Sequence, residues 1–348
     1  MVRAAVLDTL GMFDLAAGLP EQVADAARRA RGFGGFRDAA SVEQIVVIGM
    51  GGSGMAGDVV AAVAAPMLAV PVLVVKSYEC PAYVDSGSLV FAISASGNTE
   101  ETLQAATDAS ASGATLVVIS GGGKLTESAA GWNAPVIEVP PEIPQPRAAL
   151  GAMAIPPLVV LEEMGLYRGG RHWIDAAVQQ LRRRRDELHG AGDSSRAAAM
   201  ARRIGRTFPL IHGSGAVGAT AANRWRTQVN ENATALAFSN AQPEVCHNEV
   251  SGWGQHGDVT RQLITAIALR HDGEHPQMDR RFELVGELLR EVVADVLEVR
   301  AEGDGDLAQL FDLILFGDYV SLWMAAEAGI DPGPIPAIEE LKARLEAP

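Results

Sequence analysis

Apolar and polar positions alternate along the chain in two registers. Short continuous apolar runs rich in Val and Ile occupy residues 45–50, 70–77, 89–96, 114–120 and 134–139. Between them lie longer stretches with helical spacing, at 54–65, 100–112 and 124–131. Strands that alternate with helices predict βαβ units and a parallel sheet. The runs are apolar at successive positions, so both faces of each strand are expected to be covered. The proline-rich break Pro140-Pro141-Glu142-Ile143-Pro144-Gln145-Pro146-Arg147 interrupts this pattern, and a helix is predicted over 148–163. A polar stretch follows, with the run Arg182-Arg183-Arg184-Arg185 read as a solvated helix face.

The α/β pattern then starts again. Phe208-Pro209-Leu210-Ile211-His212-Gly213-Ser214 reads as a strand ending in a Gly-Ser-Gly loop, and a helix is predicted over 217–228. Further β-rich runs lie at 235–238, 261–269 and 296–300, and the last helices at 307–329 and 337–345. Both halves thus present strand, glycine–serine loop and helix, as in a degenerate duplication. The predicted fold class is α/β, two α/β/α sandwich domains, each with a mainly parallel sheet flanked by helices. The expected boundaries are 1–150 for an N-terminal domain, 151–200 for a helical connector, 201–330 for a C-terminal domain and 331–348 for a closing loop and helix.

Composition narrows the function. Hydrophobic residues are 48% and charged residues 20% of the 348, the balance of a globular chain. The net charge of −15, from 28 basic and 43 acidic residues, argues against nucleic acid as a partner. No uninterrupted apolar run is long enough to span a membrane, and the N-terminal residues 1–18 lack the apolar core of a signal peptide. No membrane association and a cytoplasmic location are expected, and the two cysteines, Cys80 and Cys246, fit a reducing compartment.

Two loops carry the candidate chemistry. The first, Gly49-Met50-Gly51-Gly52-Ser53-Gly54, matches the dinucleotide fingerprint G-x-G-x-x-G. That reading wants an acid at the end of the second strand, about 20 residues on. The strand ends Val74-Val75-Lys76-Ser77, and Glu79 falls beyond it. The second loop, Ser94-Ala95-Ser96-Gly97-Asn98-Thr99, precedes a helix opening on Glu100 and Glu101. An N-cap needs one hydroxyl. Three hydroxyls at the carboxyl end of a parallel strand make a phosphate site instead.

The pairing of this glycine loop with Ser94-Ala95-Ser96-Gly97-Asn98-Thr99 resembles the sugar isomerase (SIS) domain. Asn230-Glu231-Asn232, Pro243-Glu244, and His247-Asn248-Glu249-Val250-Ser251-Gly252-Trp253 narrow the resemblance to the bifunctional phosphoglucose/phosphomannose isomerases, as do Pro146-Arg147 and Leu341-Lys342. It runs over nearly the whole chain. It implies an aldose–ketose isomerase acting on glucose 6-phosphate, mannose 6-phosphate and fructose 6-phosphate, in glycolysis or gluconeogenesis, without metal or other cofactor. It further implies that Gly52, Ser53, Ser94, Ser96 and Thr99 hold the substrate phosphate and that Glu231 moves the proton between C1 and C2. Arg147 is expected to steady the enediolate, and His247 to open the ring from the partner subunit of a homodimer. Lys342 is expected near the ring oxygen. Two positions depart from the family: Thr234 replaces a frequent lysine after the Asn-Glu-Asn motif, and Ala95 a frequent aromatic.

Three other readings compete. One is a sugar-phosphate-binding SIS regulator without catalysis. Another is an amidotransferase's sugar half, set aside because the chain starts Met1-Val2-Arg3 without a glutaminase domain and its N-terminal cysteine. The third is a metal site at His271 and His275, which Gly273 and Pro276 deny a helix. Cys246 beside His247 reads as an inert thiol.

Overall fold

The computed structural model describes residues 6–33 and 38–346, so the start of the N-terminal stretch read for a leader lies outside the described residues. In chain order the elements are α1 (Met12–Ala17), α2 (Leu19–Arg29), β1 (Gln44–Ile48), α3 (Gly51–Ala64), β2 (Val72–Val75), β3 (Ser88–Ser94), α4 (Glu100–Ala111), β4 (Thr115–Ser120), α5 (Gly123–Ala129) and β5 (Val136–Glu138). They continue with α6 (Leu150–Glu163), α7 (Gly170–Ala191), α8 (Arg196–Ile204), β6 (Phe208–Ser214), α9 (Gly215–Asn232) and β7 (Phe238–Gln242). The last are α10 (Gly257–Leu263), β8 (Ile264–Arg270), α11 (Gln277–Arg290), β9 (Asp295–Arg300), α12 (Gly305–Ala328) and α13 (Pro336–Glu346).

Two compact units are present, and neither is contiguous. The N-terminal unit takes Gly18–Arg182 and Glu302–Asp312; the C-terminal unit takes the chain up to Ala17, Arg183–Ala301 and the chain from Leu313 onward. The sequence intervals drawn above are contiguous, whereas the residues of the long helices α7 and α12 are divided between the units. α12 is long and apolar enough to cross a membrane by length and composition, a feature the run-length reading passed over, and its apolar window is wholly buried.

The N-terminal unit is built on a five-stranded sheet, every pair parallel, in the order β2-β1-β3-β4-β5. Ile45, Val46, Val47, Leu89, Val90, Phe91 and Ile93 are all fully buried. Each such side chain removed from water contributes about 1.5–3 kcal/mol, and burial on both faces explains why these runs show no alternation. Helix α3 packs closely because Gly57 has no side chain: a Cβ there would stand 2.8 Å from Val74 Cγ1 and 3.0 Å from Val47 Cγ1.

The C-terminal unit has a four-stranded, wholly parallel sheet in the order β7-β6-β8-β9. Reading from the first strand outward, the two sheets share one topology. In each, the chain lays its second strand on one side of the first and its third on the other, leaving a switch point at β1/β3 and at β6/β8. Ligands of such sheets bind beyond the carboxyl ends of the strands at that point.

Three local expectations need correction. The strand expected at 235–238 begins only at Phe238, because Thr234 takes a left-handed backbone (φ +49°) as the chain leaves α9. The run at 261–269 starts as α10 and becomes β8 at Ile264, and α11 was not foreseen. The arginine run is not a uniformly solvated face: Arg184 is buried, 2.6 Å from Glu187 and 5.6 Å from the Phe316 ring centre, both in its own unit.

Candidate active site

The glycine loop leaves β1 at the switch point. Gly49 N–H donates to the Val75 carbonyl at 3.1 Å, and a Cβ on Gly49 would lie 3.0 Å from the Ser53 carbonyl carbon and 3.1 Å from the Ile93 oxygen. Gly51 opens α3 with φ +52°, a conformation that favours glycine. Ser53 and Gly54 N–H groups close the first turn on the Met50 carbonyl at 2.9 and 3.0 Å. The remaining first-turn N–H groups have no carbonyl within the helix to bond. Gly52 was expected to let a phosphate approach. The lack of a Cβ there also lets the Pro146–Ala149 turn come close, since a Cβ would stand 3.0 Å from the Pro146 oxygen and 3.3 Å from Arg147 N. The Ser53 hydroxyl is buried; it donates to Met153 Sδ at 3.2 Å and accepts from Ala95 N–H at 3.3 Å, tying the glycine loop to the serine loop.

The serine loop leaves β3 beside it. Ser94 and Thr99 hydroxyls are 2.9 Å apart, and Gly97 N–H donates to Ser94 Oγ at 3.1 Å. Thr99 stands at the N-cap of α4, yet its side chain makes no capping bond, so capping does not account for the hydroxyls. Ser96 is exposed and accepts from Asn98 N–H at 3.2 Å. A loop unnoticed in the sequence braces this one. Asn98 Oδ1 accepts from Lys124 N–H at 3.1 Å, and Leu125 N–H donates to the Gly97 carbonyl at 2.9 Å. The fit is so close that a Cβ on Gly97, at φ +67°, would fall 1.7 Å from the Gly122 oxygen. The Gly121-Gly122-Gly123 run was the available signal, since three glycines between a strand and a helix mark a close backbone approach.

Arg147 lies in a short 3-10 turn, Pro146–Ala149, against the start of α3. Its side chain is buried and donates from Nη1 to Gln145 Oε1 at 3.0 Å. The structure therefore brings Gly52, Ser53, Ser94, Thr99 and Arg147 to one end of the N-terminal sheet, with Ser96 on the solvent side of the same loop.

The other three candidates stand on separate elements of the C-terminal unit. Glu231, half-buried, is in the last turn of α9. Its two asparagine neighbours fix that turn: Asn230 Nδ2 donates to the Ala235 carbonyl at 2.8 Å and Asn232 Nδ2 to Ser321 Oγ at 2.9 Å. His247 is exposed at the end of a 3-10 turn, Glu244–His247. Two residues on, Glu249 reaches back to the sheet, with Oε1 2.9 Å from His212 Nε2 and Oε2 accepting from Asn240 Nδ2 at 3.0 Å. Burial acts to raise the Glu249 carboxyl. The neighbouring His212, first of all, together with Asn240 and Trp253, outweighs it and leaves the group below its ordinary value. Sequence reading missed this pair; the one polar side chain inside the apolar run Phe208–Ile211 and His212 was its signal. Lys342 is exposed on α13.

The second switch point repeats the backbone of the first with different chemistry. Gly213-Ser214-Gly215-Ala216-Val217-Gly218 is again G-x-G-x-x-G, with Gly215 at φ +58° where Gly51 has +52°. The cap residues match too: Met50 has φ −114°, ψ 158° and Ser214 φ −117°, ψ 154°. On this alignment Val217 stands where Ser53 does. Ala268 pairs with His212 as Ala92 pairs with Ile48, so Arg270 stands where Ser94 does. There Ser214 Oγ donates to Glu274 Oε1 at 2.8 Å, and Arg270 Nε to Glu274 Oε2 at 2.8 Å. His271 Nε2 lies 3.1 Å from the Ser214 carbonyl, in a loop rather than on a helix.

The first unit is thus an α/β domain with a glycine loop and a cluster of hydroxyls at the switch point of its parallel sheet, and the second unit shares its topology. Residues 40–130 match the SIS domain family, and residues 193–345 match the bacterial phospho-glucose isomerase C-terminal SIS domain. The chain is 34% identical over 337 residues to a bifunctional phosphoglucose/phosphomannose isomerase of Caldicellulosiruptor bescii, covering 96% of this chain and 98% of that protein. It is 32% identical to one from Aquifex aeolicus, over 89% of this chain and 92% of that protein. Its fold is similar to the crystal structure of tagatose-6-phosphate ketose/aldose isomerase from Escherichia coli, with a TM-score of 0.72 at 16% identity, over 96% of this chain and 98% of that one. The chain belongs to the bifunctional phosphoglucose/phosphomannose isomerase family.

Proposed function

We propose that this protein interconverts glucose 6-phosphate and mannose 6-phosphate with fructose 6-phosphate through a cis-enediol intermediate. It is an aldose–ketose isomerase. The observation that carries the reading, beside family membership, is the Ser94–Thr99 hydroxyl pair at the β1/β3 switch point, 2.9 Å apart and not used in capping.

In this reading Ser94, Ser96, Thr99 and Ser53, with the first-turn N–H of Gly52, hold the substrate phosphate. Ser53 does so by turning its hydroxyl from Met153 or by fixing the Ala95 N–H. Ring opening comes first: His247, supplied by the partner subunit of a homodimer, exchanges a proton with the ring oxygen, and Lys342 lies near that oxygen. Glu231 then takes the proton from C2 of the aldose and returns it to C1, while the O2 proton moves to O1. Arg147 stabilises the oxyanion that develops on the enediolate. Glucose and mannose 6-phosphates differ only at C2, so rotation about C2–C3 in the enediol presents either face to the same base. The protein acts in the cytoplasm, at the hexose 6-phosphate step shared by glycolysis and gluconeogenesis.

A coupled assay with chelator present tests this reading. Purified protein is expected to convert both aldose phosphates to fructose 6-phosphate; well-folded protein inert on all three sugars contradicts it. Glu231→Gln is expected to lower kcat by about 10³-fold or more while sugar-phosphate binding stays within about threefold.

A further inference from the structure

Glu249 is not among the groups given a chemical role above, yet it is one of the most heavily engaged carboxylates of the C-terminal unit. The turn that carries His247 has two anchors. Two residues before His247, Val245 is fully buried in an apolar cluster with Ala266, Val285, Leu289 and Val293. Two residues after it, Glu249 spans two strands, with Oε1 2.9 Å from His212 on β6 and Oε2 3.0 Å from Asn240 on β7. His212 is 4% exposed and Glu249 19%, so neither presents itself to a substrate, while His247 between the anchors is exposed.

A buried carboxylate–imidazole contact adds little to stability compared with apolar side chains of similar size, and Val245 already secures the turn to the core. What one hydrogen bond from Asn240 and a 2.9 Å contact with His212, on two different strands, supply together is a fixed position for the Glu249 carboxylate. The backbone at Asn248 is set by further bonds: its Oδ1 accepts from Glu249 N–H at 2.6 Å, and its Nδ2 donates to Glu244 Oε1 at 2.6 Å. These contacts oppose rotation of the His247 turn about Val245.

We propose that Glu249, held by His212 and Asn240, is a positioning residue that fixes the orientation of His247 for ring opening. The inference rests on the ring-opening role given to His247. Displacing a catalytic group by about 1 Å costs on the order of 10²-fold in rate.

The test compares His247→Ala, Glu249→Ala and the double variant in the coupled assay with glucose 6-phosphate. Each is also titrated with a five-carbon aldonate 5-phosphate, an acyclic analogue of the enediolate that needs no ring opening. Glu249→Ala is expected to lower kcat about 10²-fold. The double variant is expected to be no slower than His247→Ala within about twofold, because the two act as one unit. Analogue affinity is expected to stay within about threefold of the parent in all three. Glu249→Gln, which keeps the size and one acceptor oxygen, is expected between parent and alanine variant and guards against misfolding. Full kcat in Glu249→Ala beside a crippled His247→Ala overturns the inference, as does parallel loss of analogue binding, which marks a structural role only. Full kcat in His247→Ala instead contradicts the ring-opening reading itself, and this inference with it.

Discussion

The two switch points have the same backbone and opposite contents. At β1/β3 the loops present Ser94, Ser96 and Thr99, small neutral donors around the start of a helix. At β6/β8 the equivalent place holds an arginine, and the Glu274 carboxylate already bonds both Arg270 and Ser214 Oγ. Arg270 and Glu274 are only 5% and 6% exposed. A carboxylate that accepts from the N-cap hydroxyl of α9 and pairs with a guanidinium puts a fixed negative charge of the protein's own at that place. The same strand order thus carries a cluster of hydroxyls in the first unit, where we place the substrate phosphate, and a buried ion pair in the second. Fold alone does not make the site; the side chains at two strand ends do.

Four variants would break or sharpen that contrast. The largest effect is expected from Gly97→Ala. The new Cβ would fall 1.7 Å from the Gly122 oxygen, at a φ of +67°. Displacement of the serine loop is expected to destabilise the N-terminal unit by about 3 kcal/mol or more and to abolish phosphate binding. Denaturant unfolding beside a binding titration reads both. Next, Arg270→Ala leaves the buried Glu274 without its cation. A loss of stability of about 3 kcal/mol is expected with KM for glucose 6-phosphate unchanged, whereas Ser94→Ala with Thr99→Val should do the reverse, raising KM by about 10²-fold at little cost in stability. The smallest effect is expected at Thr234, a β-branched residue at φ +49° on the exposed turn after Glu231. Thr234→Gly is expected to stabilise the protein by about 1 kcal/mol in thermal unfolding, with kcat retained.

Much of the first unit was legible in the sequence because its signals are local. The runs around Val46 and Phe91 are apolar at every position since both sheet faces are covered, and the serine loop is read within six residues. Phe208–Ser214 was legible to the residue for the same reason. What escaped depends on partners far along the chain. Nothing beside Gly52 in the sequence announces that Pro146 will pack on it. The burial of Arg184 depends on Glu187 and a ring 132 positions away, at Phe316. The strand at 235–238 was misplaced because Thr234, whose residue type favours strands, takes a helix-ending conformation. The second G-x-G-x-x-G lies in plain view, but its meaning depends on Glu274, which only the fold brings to Ser214.

The contrast between the switch points is tested most directly by the stoichiometry of phosphate-ester binding. Isothermal titration of the protein with the acyclic aldonate 5-phosphate is predicted to give one site per chain. That site is predicted to be lost in Ser94→Ala with Thr99→Val and kept in Ser214→Ala. Two sites per chain, or binding that survives the first change and is lost in the second, would contradict the account.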